Sequence, residues 1–128
     1  MPFKSKIDVQ ANLITHFADG PLVLEELLST FDSVHSDPLF RPAMNVLWDF
    51  TSASITGGST DEIQALAAAI GRRLDHGGFY KVAIAAPQDL AFGLARMYEA
   101  YAGQLPIELN VFRSRGEALD WLRGTKPK

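Results

Sequence analysis

The sequence predicts an α/β fold: a mostly parallel or mixed sheet with helices packed on it, in the order ββαβαβαβα. Three observations carry this. Val46-Leu47-Trp48-Asp49-Phe50 and Val82-Ala83-Ile84-Ala85-Ala86 are nearly all apolar, as strands buried on both faces require. Amphipathic stretches of helical period separate them from each other and from a later alternating run. Glycine, proline and capping residues fall at short intervals between these segments. Strand and helix alternating in this way builds a sheet covered by helices.

The elements follow in order. Ile7-Asp8-Val9 and residues 13–17 read as two strands of a hairpin joined through Ala11-Asn12. In the second strand Leu13, Thr15 and Phe17 share one face, and Ile14 and His16 the other. Asp19-Gly20-Pro21 should stop it, with Pro21 in the first turn of a helix, where its missing N–H has no intrahelical partner. Leu24, Leu27, Leu28 and Phe31 mark the apolar stripe of that helix, and its acids lie near the positive end. Ser36-Asp37-Pro38 and Arg41-Pro42 form a loop before the first buried strand. After Thr56-Gly57-Gly58, Ser59 and Glu62 have capping-box spacing, and Ile63, Leu66, Ala67, Ile70 and Leu74 mark one helical face. Gly77-Gly78 ends that helix. Pro87 stops the second buried strand, residues 88–102 form a helix, and Gly103 closes it. Ile107, Leu109 and Val111 alternate with Glu108 and Asn110, which suits an edge strand. Residues 116–122 form the last helix, with Ala118, Leu119 and Leu122 inward.

Composition bounds the function. The 128 residues suit one domain, 1–128, with a real core. No cysteine is present, which excludes disulfides, thiolate catalysis and sulfur-built metal sites. A net charge of −3 argues against a nucleic-acid partner, and no apolar run is long enough for a membrane span. The N-terminus lacks the apolar core of a signal peptide, so a cytoplasmic location is expected.

No dinucleotide fingerprint, P-loop, HExxH or nucleophile elbow occurs, so neither a cofactor nor a catalytic constellation is expected. His16, His35 and His76 are scattered, which argues against a metal. The latter two suit helix C-terminal cations. Four positions, Asp49, Thr51, Asp89 and Arg113, lie at strand ends, where ligands of open parallel sheets collect; capping of turns and following helices is the favoured account of them. Ser59 and Thr60 open a helix and could hold an anion or accept a phosphoryl group. Asp61 and Glu62 already occupy that end, and capping accounts for the pattern.

The helix at 92–101 is apolar around much of its surface. Leu90, Leu94, Met97 and Tyr101 are expected to form its inward stripe, leaving Phe92, Ala95 and Tyr98 partly elsewhere. Deep burial, a subunit contact through Phe92, Met97, Tyr98 and Tyr101, or an apolar ligand pocket would each account for this. A homodimer or other homo-oligomer is therefore expected. The C-terminal basic residues Arg113, Arg115, Arg123, Lys126 and Lys128 read as a solvated tail.

Several segments together resemble the SpoIIAA-like (STAS-like) family of small bacterial proteins. They are Val46-Leu47-Trp48-Asp49, Val82-Ala83-Ile84-Ala85-Ala86-Pro87, Phe92-Gly93-Leu94-Ala95-Arg96-Met97-Tyr98, and the ending Val111-Phe112-Arg113 with Glu117-Ala118-Leu119-Asp120-Trp121-Leu122. The resemblance implies a sheet of four to five strands, related to anti-sigma-factor antagonists and more distantly to the CRAL-TRIO lipid-binding fold. Antagonists dock onto a kinase and carry a phosphorylatable serine in an Asp-Ser-Ser-Gly-like turn. Gly57-Gly58-Ser59-Thr60-Asp61 holds that place here, without the Asp-Ser pair. The expectation is a non-enzymatic regulatory or protein-interaction module. The alternative is a carrier or sensor of a small apolar ligand such as a fatty acid or lipid. A third idea is an enzyme built on Asp49 and Arg113.

Overall fold

The computed structural model describes residues 3–41, 43–54, 59–73, 80–105 and 107–124. Readings placed on Pro42, Thr56, Gly57, Gly58, Leu74, His76, Gly77, Gly78, Lys126 and Lys128 lie outside these described residues. The element order is β1 (Phe3–Asp8), β2 (Leu13–Pro21), α1 (Leu24–His35), β3 (Asn45–Ser54), α2 (Thr60–Arg73), β4 (Tyr80–Ala85), α3 (Asp89–Tyr101), β5 (Ile107–Phe112) and α4 (Arg115–Leu122). A short 3-10 turn, Ala102–Gln104, follows α3 where Gly103 was expected to close a longer helix. The five strands form one sheet in chain order, antiparallel between β1 and β2 and parallel elsewhere. The expected order and the edge position of β5 are both found.

Two layers of helix cover the sheet unequally. On one face, Trp48, Phe50, Val82 and Ile84 pack against Leu27 and Phe31 of α1, Ile70 of α2, and Ala91 and Ala95 of α3. On the other, Leu47, Ala83 and Ala85 pack under α4 through Ala118 and Leu122. Successive strand residues point to opposite faces, so β3 and β4 must be apolar throughout to serve both layers. Gly71 of α2 permits the close approach of Leu105, whose Cδ2 would lie 2.9 Å from an added Cβ.

Three expectations need correction. β1 runs over Phe3–Asp8 and excludes Val9. Its outward residues, Lys4 and Lys6, hid the inward face of Phe3 and Ile7 from a search for apolar runs. β2 does not stop at Asp19. Its register against β3 shifts between Phe17 and Asp19, and pairing resumes from Asp19 with Ser52 to Pro21 with Ser54. Pro21 therefore ends a strand instead of opening a helix, and α1 begins three residues later behind Val23, which makes no side-chain cap. Finally, α3 buries Ala91, Leu94 and Ala95, while Leu90 and Tyr101 are exposed. The inward stripe is rotated because small alanines let the helix sit close to the sheet, and the longer side chains lie around that contact.

Candidate functional site

The sheet face under α1, α2 and α3 forms a partly open apolar cavity of about 230 Å³. Its floor is built by β2, β3 and β4 through Ile14, Trp48, Val82 and Ile84. Its roof comes from the helices, through Phe31, Val34, Ile70, Leu94 and Tyr98. The alternation of β2 sends His16 into this wall beside Ile14, at 1% exposure.

His16 is held on two sides. Its Nδ1 lies 2.7 Å from Ser5 Oγ on β1, and its ring stacks on Trp48 with centroids 4.1 Å apart. Burial, with a smaller contribution from His35, lowers its pKa from 6.5 to about 4. The ring is thus neutral at pH 7. His35 lines the same cavity between Phe31 and Phe40, each with its ring centre 4.4 Å away. Its Nδ1–H donates to the Phe31 carbonyl at 2.8 Å. Tyr80 and Tyr98 complete the polar groups of the wall together with Arg73. Burial pushes the Tyr80 phenol up to about 12 and raises that of Tyr98 further, with Tyr80 adding to the latter. Arg73 donates from Nε to Asp32 at 2.7 Å and from Nη1 to the Ala69 carbonyl.

The strand-end residues form two separate sets. Where β2–β3 pairing lapses, the Thr51 N–H is released from the ladder and donates to Asp49 Oδ1 at 3.0 Å; its hydroxyl donates to the same oxygen at 2.7 Å. Arg115 donates to the other oxygen at 2.6 Å. Burial alone would raise the Asp49 carboxyl, but the Thr51 bonds and then Arg115 outweigh it and hold the pKa below its usual 3.8. Asp49 is 1% exposed, while Arg115 is 48% exposed. An arginine in the first turn of α4 opposes the helix dipole, and the buried carboxylate offsets that opposition. Arg113, the expected partner of Asp49, turns the other way. It donates to Asp89 at 2.7 Å and the Pro87 carbonyl at 3.2 Å, with its guanidinium 4.0 Å from the Phe92 ring centre. The two arginines flank Ser114, which caps α4 through the Glu117 N–H; Arg113 ties to the start of α3 and Arg115 to Asp49 in β3.

Ser59 accepts from the Glu62 N–H at 3.1 Å, and the Glu62 carboxylate accepts from the Ser59 N–H at 3.0 Å. The expected capping box is thus formed, with Thr60 exposed as the first helical residue. Of the four residues marked as an apolar interface, Tyr98 lines the cavity, Phe92 packs under Arg113, Met97 is half-buried and Tyr101 is exposed. Sequence reasoning missed His16 and Arg115 as site residues. A histidine between apolar Ile14 and Ala18 on one strand face was the available signal for the first. Among the described residues, no group of three or more His, Asp or Glu could hold a metal, and no helix is long and apolar enough to cross a membrane.

No family model and no curated protein matches the sequence. Among solved structures, the chain is similar to an uncharacterized protein of the DUF3478 family from Shewanella loihica PV-4, described as having a SpoIIAA-like fold. The two share 20% identity with a TM-score of 0.55, over 94% of this chain and 91% of that one. At this identity the likeness speaks to architecture, and it agrees with the mixed five-stranded sheet and its two helical layers: the chain has a SpoIIAA-like fold.

Proposed function

We propose that the protein binds a small, largely apolar molecule in the cavity beneath α1, α2 and α3. The observation that carries this is the partly open apolar cavity of about 230 Å³. Native interiors are close-packed, and voids larger than a water are few. Scaling from a 150 Å³ cavity that accepts benzene, this one takes roughly nine non-hydrogen atoms. Binding is favoured over catalysis because Asp49, the one buried carboxylate among the described residues, is already engaged by Thr51 and Arg115. Native mass spectrometry of protein purified without organic solvent, followed by solvent extraction, tests the reading. A stoichiometric small adduct supports it, and a clean apo mass that no apolar probe alters contradicts it.

A protein-interaction role has its own support. α4 covers only part of its sheet face, leaving a groove of about 510 Å³ beside β1. Lys4 and Lys6 line it on the β1 side, and Arg115 and Arg123 on the α4 side, with Asp8 as the acid. The floor includes Leu13, Thr15 and Phe17. In a chain of net charge −3, this cationic trough suits an acidic amphipathic segment of a partner protein. Fluorescence anisotropy with a labelled Glu/Leu peptide should show salt-sensitive binding that a Lys4→Glu/Arg123→Glu variant loses. Equal binding by that variant would contradict it. A phosphoswitch at Ser59 or Thr60 has less support, since the Ser59 hydroxyl is spent on the cap beside two acids.

A further inference from the structure

Asp49 is a buried charge that the cavity reading does not use. It lies within β3 and is 1% exposed. Thr51 satisfies one of its carboxylate oxygens twice, through its N–H at 3.0 Å and its hydroxyl at 2.7 Å. Arg115, 66 residues further along the chain, donates to the other oxygen at 2.6 Å. Replacing a buried ion pair by well-packed apolar side chains often costs nothing, so stability alone does not account for this one. Arg115 also stands in the first turn of α4, the end at which the helix dipole disfavours a cation. Two unfavourable choices meet at one place, and together they fix a guanidinium in position.

That position is the wall of the groove between β1 and α4. Arg115 lines the groove and is 48% exposed, with Arg123 also on the α4 side and Lys4 and Lys6 on the β1 side. Asp8 is the acid among the lining residues. A guanidinium is a rigid fork of donors that matches a carboxylate, so engagement by Asp49 leaves further donors for a second one. A long cationic side chain on a surface loses rotamer freedom when it binds. For Arg115 the ion pair has already removed much of that freedom. The groove is concave and apolar at its base, where Leu13, Phe17 and Leu122 lie. This shape suits a chain that carries acids beside apolar side chains, and it does not suit a flat anionic bilayer.

We propose that Asp49, braced by Thr51, is a positioning residue that holds Arg115 as the carboxylate anchor of this groove, for an acidic segment of a partner protein. This rests on the groove reading above and adds the anchoring group to it. The test titrates the full chain into a labelled Glu/Leu peptide and its Gln/Leu counterpart, followed by fluorescence anisotropy. Loss of a charge-assisted hydrogen bond predicts that Arg115→Ala binds the Glu/Leu peptide about tenfold to a hundredfold more weakly. Asp49→Asn separates positioning from simple attraction. It removes a negative charge beside the groove, so attraction alone would make the acidic peptide bind tighter. Positioning predicts the opposite sign, about twofold to tenfold weaker binding, because Arg115 must then be immobilised by the peptide. In the wild type, the Arg115 Nε resonance should move on adding the Glu/Leu peptide and stay put with Gln/Leu. This second readout stands even if a variant does not fold. Tighter binding by Asp49→Asn, or an Arg115 resonance unmoved by the bound Glu/Leu peptide, would overturn the anchor assignment while leaving a cationic groove. Failure of the wild type to bind the Glu/Leu peptide, or binding to phosphatidylserine vesicles in its place, would instead remove the groove reading itself.

Discussion

Acidification should destabilise this protein through His16, in a pH window that can be worked out in advance. The folded ring titrates at about 4 and the ordinary value is 6.5. Above pH 6.5 both states are neutral there, and the full stability is present. As pH falls, the unfolded chain takes up the proton first, so unfolding is favoured. Linkage over that interval gives a loss of about 1 kcal/mol by pH 5.5 and about 3 kcal/mol by pH 4. His35 on α1 is the charge partner of His16, and Ser5 and Trp48 flank the ring without titrating in this range. The contribution of Asp49 is lost as pH falls from about its ordinary 3.8 toward its lowered folded value, mostly below the window. Urea unfolding at pH 7, 5.5 and 4, followed by tryptophan fluorescence, measures the slope. His16→Phe keeps a ring of similar size on Trp48, and Ser5 is exposed enough to recover water. The variant should lose about 3 kcal/mol less than the wild type between pH 7 and 4. Identical acid sensitivity in the two proteins would refute the claim that His16 is buried and neutral.

Ala95 lines the cavity, so Ala95→Leu should fill it and stabilise the fold by about 2 kcal/mol at ~0.8 kcal/mol per buried carbon, while abolishing binding of apolar probes. A loss of stability above about 1 kcal/mol, the mark of overpacking, would mean the space is not there. Arg115→Ala should cost about 1–3 kcal/mol in chemical denaturation, because it leaves the buried Asp49 with Thr51 alone. Arg113→Ala should cost clearly less, since Asp89 is 96% exposed; the reverse order would contradict the assignment of the two arginines. Ser59→Ala should lower stability by about 1 kcal/mol through loss of the α2 cap, and Ser59→Asp, which can still cap, should restore most of it.

Much of the architecture was legible because the elements are written in short-range signals. Val46 to Phe50 and Val82 to Ala86 are continuous apolar runs, and only a strand covered on both faces needs that. Ser59 and Glu62 announce their helix start by spacing alone, and the structure forms both bonds. The errors arose where long-range contacts overrode local cues. Gly20-Pro21 looks like a stop, yet the register shift against β3 carries β2 through it. The α3 stripe could not be phased from hydrophobicity, because alanines and aromatics surround that helix and only docking on the sheet chooses between them. Arg113 and Arg115 are equivalent in the sequence. The geometry of the turn at Ser114, not their chemistry, decides which one meets Asp49. The cavity itself is a property of three helices and a sheet together, so no local pattern marks it. His16 was visible only as a polar residue on an apolar strand face.

The central claim is an apolar site between the sheet and α1, α2 and α3. Titrating naphthalene into methyl-labelled protein tests it most directly, with the isoleucine and leucine methyl shifts as the readout. Saturable one-to-one shifts of Ile14, Ile70 and Ile84, which line the cavity, are predicted, with Leu47 and Leu122 on the α4 face unmoved. No saturable shift, or shifts confined to Leu47 and Leu122, would contradict the account.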